Sequence, residues 1–357
     1  MSQTFTEVRA VYNGADDNKH DTVTEKESDK ATMSPISDSG FSNVTGPIHI
    51  ERVERSPAKD SAFEDANSNQ KLLWSRIRRD MRDPFAEFFG VFILILFGDG
   101  SVAQVTLAKG AKGEYQSITW GWALGVMLGV HVAGVSGAHL NPAITFCNCV
   151  YRKFPWRKFP SYMLAQTLGA FCAAAVVYGN YKSAIDQFEG GKMRTVPPAL
   201  NATAGIFCTY PAEFLSTTGQ FFSEFIASTI LMFVIFALND PNNLPGGITT
   251  PLALFMLIFG IGGCWGFQTG YAINFARDFG PRLFTYMVGY GTEVWSAGNY
   301  YFWVPMVSPF FGCLFGGWLY DVFLYTGNDS PVNTPWMGLK RIIRPEFYYQ
   351  PKRTSPA

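Results

Sequence analysis

Two asparagines in apolar surroundings, Asn141 and Asn274, have the residue type and spacing that point most directly to chemistry. Each follows a glycine by four positions and precedes an alanine by two. Asparagine is a favoured helix N-cap, and Pro142 suits the first helical position, whereas Phe275 stands at the equivalent place in the second copy. Both asparagines are predicted to cap short helices. The neutral amide of each asparagine could donate hydrogen bonds to a passing solute. The positive end of the helix dipole would lie beside that amide.

The elements that must position these asparagines are membrane helices. The 357-residue chain is 48% hydrophobic with 32 Phe and 9 Trp, which is too apolar for an ordinary soluble protein. Crossing a hydrocarbon core of about 30 Å takes roughly 20 helical residues. Six stretches are long enough, and they lie near residues 84–106, 116–136, 158–180, 217–239, 248–268 and 301–325. The segments that begin at Asn141 and Asn274 run only about ten residues before charge or proline, which is too short to span.

An internal repeat relates the two short segments. Glu87 precedes Asn141 by 54 residues, and Glu224 precedes Asn274 by 50. Each half contains three spanning helices, so the second half must enter the membrane from the opposite side and the repeats are inverted. Non-helical backbone at membrane depth is tolerated where it is buried in protein or lines water. The fold class predicted is an all-α polytopic membrane protein, with two half-helices that meet at a pore.

The remaining segments predict the domain organisation and topology. Residues 1–83 are polar and lack a hydrophobic period, which predicts a disordered tail, and residues 326–357 form a second tail. Residues 181–216 are predicted to be a long extracellular loop, in which Asn201 begins a glycosylation sequon. Basic residues predict that both termini are cytoplasmic; they are Arg76, Arg78, Arg79, Arg82, Arg152, Lys153, Arg157, Lys158, Lys340, Arg341 and Arg344. The first four could also bind anionic lipid, although topology anchoring is the simpler interpretation.

Composition also excludes several classes of protein. The formal net charge is zero, so no nucleic-acid partner is expected. The six cysteines lack metal-ligand spacing, and neither a disulfide framework, a metal site nor a cofactor is predicted. An enzyme is the poorest fit, because no nucleotide loop or nucleophile with a base partner is evident.

The two motifs resemble the paired signatures of the major intrinsic protein (aquaporin) superfamily. The run SGAHLNPAIT at residues 136–145 resembles the first signature, and GYAINFARDFGPR at residues 270–282 resembles the second. Their central triplets are Asn141-Pro142-Ala143 and Asn274-Phe275-Ala276, and the phenylalanine departs from the family's proline. The resemblance covers about residues 84–325. It implies the aquaporin fold, a homotetramer with one pore per subunit, and a place in the lipid bilayer, here expected to be the plasma membrane.

The resemblance further implies an aromatic/arginine filter on the extracellular side. Matching by position gives the filter residues as Arg277, Tyr271, Gly262 and a tryptophan of the second span. Trp120 and Trp122 compete for that place, since two residues differ by about 200° of helical rotation, and the match of residues 129–134 to the family favours Trp122. Glycine at position 262, where water-selective members carry histidine, is expected to widen the constriction.

Four further residues are expected to support the pore loops. Glu87 and Glu224 resemble the family's buried glutamates, which accept hydrogen bonds from the loops that carry the asparagines. His139 is expected to hydrogen-bond beneath the first loop. Asp278, directly after Arg277, resembles the glycerol-conducting branch of the family, in which it helps to hold the loop.

These features together predict a passive channel for glycerol, other small uncharged solutes and water. A water-selective channel and a structural membrane protein with a silent pore stay open as alternatives. A coupled transporter or anion channel is disfavoured, because such a protein would place a titratable or cationic group at the midplane, where this chain has neutral asparagines.

Overall fold

The structure, a computed structural model, describes residues 72–191, 193–327 and 330–334. In these ranges the secondary structure is helical, and strands are absent. Six helices are long and apolar enough to cross a membrane, which confirms the predicted fold class. In chain order the α-helices are α1 Leu73–Asp80, α2 Arg82–Leu107, α3 Tyr115–Ala133, α4 Pro142–Tyr151, α5 Phe159–Glu189, α6 Thr217–Asn239, α7 Thr250–Trp265, α8 Phe275–Thr285, α9 Glu293–Tyr300 and α10 Trp303–Phe323.

The inverted repeat is visible in which helices pack together. In the first half α2 packs against α3 and α5, and in the second half α6 packs against α7 and α10. The half-helices α4 and α8 contain 10 and 11 residues. Each packs on the third span of the other half, α4 on α10 and α8 on α5. The two halves are therefore interlocked around the half-helices.

Glycines allow the spans within each half to approach closely. A Cβ atom added to Gly125 of α3 would lie 2.6 Å from the carbonyl oxygen of Leu94 in α2. On α10, a Cβ added to Gly316 would lie 2.2 Å from the carbonyl oxygen of Thr229 in α6. No side chain fits at such distances, so backbone packs directly on backbone in both halves.

Two predicted boundaries are wrong. Residues 181–189 were expected in the long loop, yet α5 continues to Glu189 and ends at Gly190, whose φ is +80°. The extension is stabilised by the buried side chain of Ile185 and by an ion pair between Lys182 and Asp186. Helix α1 lies inside the tail that was expected to be disordered through residue 83. The segment forms a helix because its large apolar side chains recur at helical spacing. Residues 1–71 and 335–357 of the predicted tails lie outside the described residues.

Candidate pore

The capping asparagines of α4 and α8 meet at the centre of the bundle. The Oδ1 of Asn141 accepts from the amide of Ala143 at 2.9 Å, and the Oδ1 of Asn274 accepts from the amide of Ala276 at 2.9 Å. Each Nδ2 reaches the opposite loop: Asn141 donates to the carbonyl of Ile273 at 2.7 Å, and Asn274 donates to that of Leu140 at 2.8 Å. A side-chain amide carries two N–H hydrogens. One hydrogen of each amide therefore fixes the two loops together, and the second remains for a solute.

Two buried glutamates hold the loops that carry the asparagines. Glu87 accepts from the amides of His139 at 2.9 Å and Leu140 at 2.8 Å. Glu224 accepts from the amides of Ala272 at 2.9 Å and Ile273 at 2.7 Å. The arrangement is the same in both repeats, and hydrogen bonds to a charged acceptor are stronger than those between neutral groups.

These bonds stabilise loop backbone that is otherwise unfavourable. Leu140 and Ile273 have φ angles of +54° and +44°. Non-glycine residues in this region cost on the order of 1–3 kcal/mol each. The amide groups of both residues donate to the glutamates, so the buried carboxylates offset the strain where it occurs.

His139 lies beneath the first loop. Its Nδ1 is 3.2 Å from the Oγ1 of Thr145, and its ring contacts those of Phe154 and Tyr162. The Nε2 of Gln166 donates to Glu87 at 2.8 Å and to Thr145 Oγ1 at 3.2 Å. His139 is thus packed into the loop support, and one edge of it also lines the cavity described below.

Arg277, Trp122 and Tyr271 come together at one end of the pore. The guanidinium carbon of Arg277 lies 4.0 Å from the ring centroid of Trp122, and its Nη1 donates to the carbonyl of Phe207 at 3.1 Å. Trp122 is 5% exposed, whereas Trp120 is 47% exposed and packs against Phe255. Of the two competing tryptophans, the structure places Trp122 beside the arginine.

Gly262 lies against Tyr271 and leaves room for its ring. A Cβ added there would lie 2.9 Å from the hydroxyl oxygen of Tyr271 and 2.9 Å from the Cγ2 of Thr119. The Tyr271 ring occupies the place that a side chain at position 262 would take. A side chain at position 262 would therefore displace the Tyr271 ring, which lines the cavity.

Asp278 fastens the loop before α6 to the half-helix α8. Its Oδ2 accepts from the amide of Thr209 at 2.8 Å and from the hydroxyl of the same residue at 2.6 Å. Its Oδ1 accepts from the Nε of Arg282 at 2.7 Å. Arg282 in turn donates to the carbonyls of Thr209 and Val294, each at 2.6 Å. This network fixes the segment that presents the Phe207 carbonyl to Arg277.

A cavity of about 160 Å³ connects these parts. Its polar wall includes His139, Asn141, Asn274 and Arg277. The rest of its lining is mostly apolar and includes Leu94, Val126, Val130, Leu231, Ile235, Leu254 and Ile258. A second cavity of about 340 Å³ shares Gly137, His139 and Asn239 with the first and also contacts Arg152, Asp240 and Tyr325. The two cavities adjoin at these shared residues and together form the candidate route through the bundle.

Phe275 lies away from this route. Its ring packs on Phe279, with centroids 5.1 Å apart, and on Phe310 of α10, with centroids 6.3 Å apart. It is not among the residues that line the cavity. The departure from proline therefore adds an aromatic contact behind α8 and leaves the Asn274 cap intact.

Sequence reasoning missed two charged residues near the pore. Arg282 stood inside the second motif without an assigned role. Asp99 of α2 is fully buried, and neither of its carboxylate oxygens has a hydrogen-bond partner among the described residues. An acidic residue among the apolar residues of a span was the signal that could have identified Asp99.

Comparisons with known proteins agree with this geometry. Residues 74–320 match a sequence model described as "Major intrinsic protein". Aquaglyceroporin-9 of Botryotinia fuckeliana is 71% identical over 281 residues, which is 78% of this chain but only 61% of that protein's length. Probable aquaglyceroporin-2 of Gibberella zeae is 62% identical over 87% of this chain and 93% of its own. The crystal structure of the aquaglyceroporin from Plasmodium falciparum aligns with a TM-score of 0.61 at 32% identity, over 68% of this chain and 96% of that one.

Proposed function

This chain belongs to the major intrinsic protein family, and from that membership we propose that the cavity between its half-helices is the pore of a passive channel for glycerol and water. The similar proteins named aquaglyceroporin support this function. The observation that carries the proposal is the pairing of Arg277 with Trp122 at one end of a cavity that also contains both capping asparagines. The chain is an integral membrane protein and not an enzyme.

The two walls of the cavity suit a solute with a hydroxyl edge and a carbon edge. The free N–H hydrogens of Asn141 and Asn274 can donate to the hydroxyls of glycerol near the middle of the pore. Arg277 can donate to them at the constriction, while the carbon edge faces Trp122 and the aliphatic wall. A solute that exchanges its water hydrogen bonds for these contacts loses little free energy on entry.

We propose that the same groups exclude ions. The N-termini of α4 and α8 each direct partial positive charge toward the asparagines, and Arg277 adds a full charge beside Trp122. A cation would lose its hydration shell in a field of its own sign. Neutral molecules experience no such penalty.

Topology and assembly complete the proposal. We propose that the protein lies in the plasma membrane with both termini in the cytoplasm. We also propose that four copies form each assembly, and native mass spectrometry of the purified protein can count them. Asn201 is exposed in the loop before α6 and is proposed as a glycan acceptor. A mass shift on treatment with a glycosidase would establish the modification and the extracellular side of that loop.

The first experiment follows light scattering of proteoliposomes in inward gradients of glycerol and of sucrose. Wild-type vesicles are expected to shrink quickly in both and to re-swell quickly in glycerol alone. Gly262→His, and to a lesser degree Gly262→Ala, should slow re-swelling by driving the Tyr271 ring toward the opening, with water flux less affected. Gly263→Ala is the matched control, because a Cβ added there meets nothing within 4 Å.

Three other outcomes would contradict parts of this proposal. Fast shrinkage without re-swelling in glycerol would identify a water-selective channel. Shrinkage no faster than that of protein-free vesicles would identify a silent pore. Equal effects of Gly262→Ala and Gly263→Ala would show that Tyr271 does not set the opening.

A further inference from the structure

Helix α1 carries an apolar surface that nothing in the described part of the chain covers. The helix has no buried residue. The large apolar side chains of the helix and of its two flanking residues are between 38% and 64% exposed; they are Leu72, Leu73, Trp74, Ile77 and Met81. Such a group of exposed side chains usually marks an interaction surface.

The apolar and charged residues of α1 occupy different faces. At about 100° per residue, Leu73, Trp74 and Ile77 share an arc of about 100°. Arg76 and Arg78 flank this arc on its two sides, and both are exposed. Long basic side chains beside an apolar face can extend outward while their stems lie along it. The helix has the pattern of one that lies in a membrane surface.

The position of α1 places this face at the membrane boundary. Only Met81 separates it from α2, the first spanning helix. The Trp74 ring contacts that of Phe85 in the first turn of α2, with centroids 6.1 Å apart. Tryptophan is enriched at the level of lipid headgroups. The contact holds α1 beside the first turn of the first spanning helix.

Charge favours lipid phosphates as the binding partner. Four arginines at positions 76, 78, 79 and 82 oppose one aspartate in the helix, Asp80. Asp83, the next acidic residue, is engaged by Lys158 at 2.7 Å. The local surface is therefore strongly basic and directly adjoins a span.

We propose that α1 is a binding site for anionic lipid, with Leu73, Trp74 and Ile77 inserted at the acyl boundary and Arg76 and Arg78 bound to headgroup phosphates. The site is independent of which solute the pore conducts.

Hydrogen exchange of the full-length protein in lipid nanodiscs tests this site. The probes are discs of phosphatidylcholine alone and discs with phosphatidylserine added. Backbone amides of residues 72–82 are expected to exchange about tenfold more slowly in the anionic discs, since each basic side chain near such a surface strengthens binding severalfold. Arg76→Gln combined with Arg78→Gln should remove that difference.

The matched control is Lys109→Gln combined with Lys112→Gln, which removes two positive charges at the other end of α2. This pair should leave the exchange of residues 72–82 unchanged. Equal exchange in the two kinds of disc would overturn the proposal. Slow exchange of residues 72–82 in both kinds of disc would also overturn it. That result would show that another part of the chain or a second copy covers the apolar face of α1. Glycerol flux tests the proposed pore, and hydrogen exchange tests the proposed lipid site. Either proposal can therefore fail without the other.

Discussion

At the scale of single residues, the polar groups inside this membrane protein are nearly all satisfied by named partners. Glu87, Glu224 and Asp278 each accept several hydrogen bonds from loop amides and side chains. Asp99 differs, because its carboxylate is buried without a hydrogen bond in the described ranges. The neighbouring Gly98 packs against the Trp122 ring, whose centroid lies 4.0 Å from the guanidinium carbon of Arg277. We predict from this proximity that Asp99 helps to position the arginine.

Asp99→Asn tests this role, because the change keeps the shape of the side chain and removes its carboxyl group. We expect glycerol re-swelling to slow by about two- to tenfold, a barrier change of roughly 0.4–1.4 kcal/mol. Without the carboxyl group on α2, the Arg277 side chain would occupy more of the opening. Water flux should fall less, since water is the smaller solute. Stopped-flow light scattering on the same vesicles measures both rates.

Asp80→Asn is the control for this substitution, because its carboxylate is 69% exposed and lies outside the pore. An unchanged ratio of glycerol to water flux in Asp99→Asn, together with unchanged or higher thermal stability, would show that Asp99 does not position Arg277.

At the scale of elements, the fold depends on glycines that bring spans into backbone contact. Gly312 and Gly316 of α10 face the carbonyls of Phe225 and Thr229 in α6. Close contacts of the same kind join α2 to α3 through Gly125 and Gly129. Because α4 packs on α10, a displacement of α10 from α6 would also move the first half-helix.

Gly316→Ala is expected to destabilise the protein by about 1–3 kcal/mol through overpacking. The added methyl group would meet backbone that cannot yield without separating α6 from α10. Gly179→Ala in α5 is the matched control, since its Cβ would lie in open space, and it should raise stability by about 0.5–1 kcal/mol. Apparent Tm in detergent measures both, and equal shifts of the same sign would contradict the packing argument.

At the scale of the whole molecule, the inverted repeat brings two helix N-termini into one pore. Each half supplies one capping asparagine, and each asparagine is bonded to a carbonyl of the other half. Neither half alone can form the site. The symmetry is broken at the constriction, where α8 carries Arg277 and no equivalent charge follows Asn141 in α4.

Ion exclusion is the property expected from this arrangement, and Arg277→Val tests it. The repulsion between the arginine and a cation about 4 Å away amounts to several kcal/mol in surroundings of low dielectric. Without the arginine, the leak of protons and cations should rise on the order of tenfold or more. Arg277→Lys keeps the charge and should leak much less. A pH-sensitive dye inside vesicles under a potassium diffusion potential reports the leak. If Arg277→Val stays proton-tight while it conducts glycerol, the half-helices alone exclude ions.

Several features were readable from the sequence because they are local or periodic. Six apolar stretches, two capping asparagines and the repeated spacing from Glu87 and Glu224 predicted the confirmed fold class. The extension of α5 past residue 180 was not predicted. It depends on burial of Ile185 and on contacts of Arg194 with Asp186 and Glu189, and these bring together residues whose meeting no local pattern encodes.

The sequence by itself determined the helices, their inverted order and the residue types at the pore, because hydrophobic length and helix caps act over one or two turns of chain. Only the tertiary structure decided which tryptophan faces Arg277, that Tyr271 fills the space before Gly262, and that Phe275 points away from the route. Each of these depends on how one helix or loop packs against another. Such packing joins residues far apart in the chain, and no single segment specifies it.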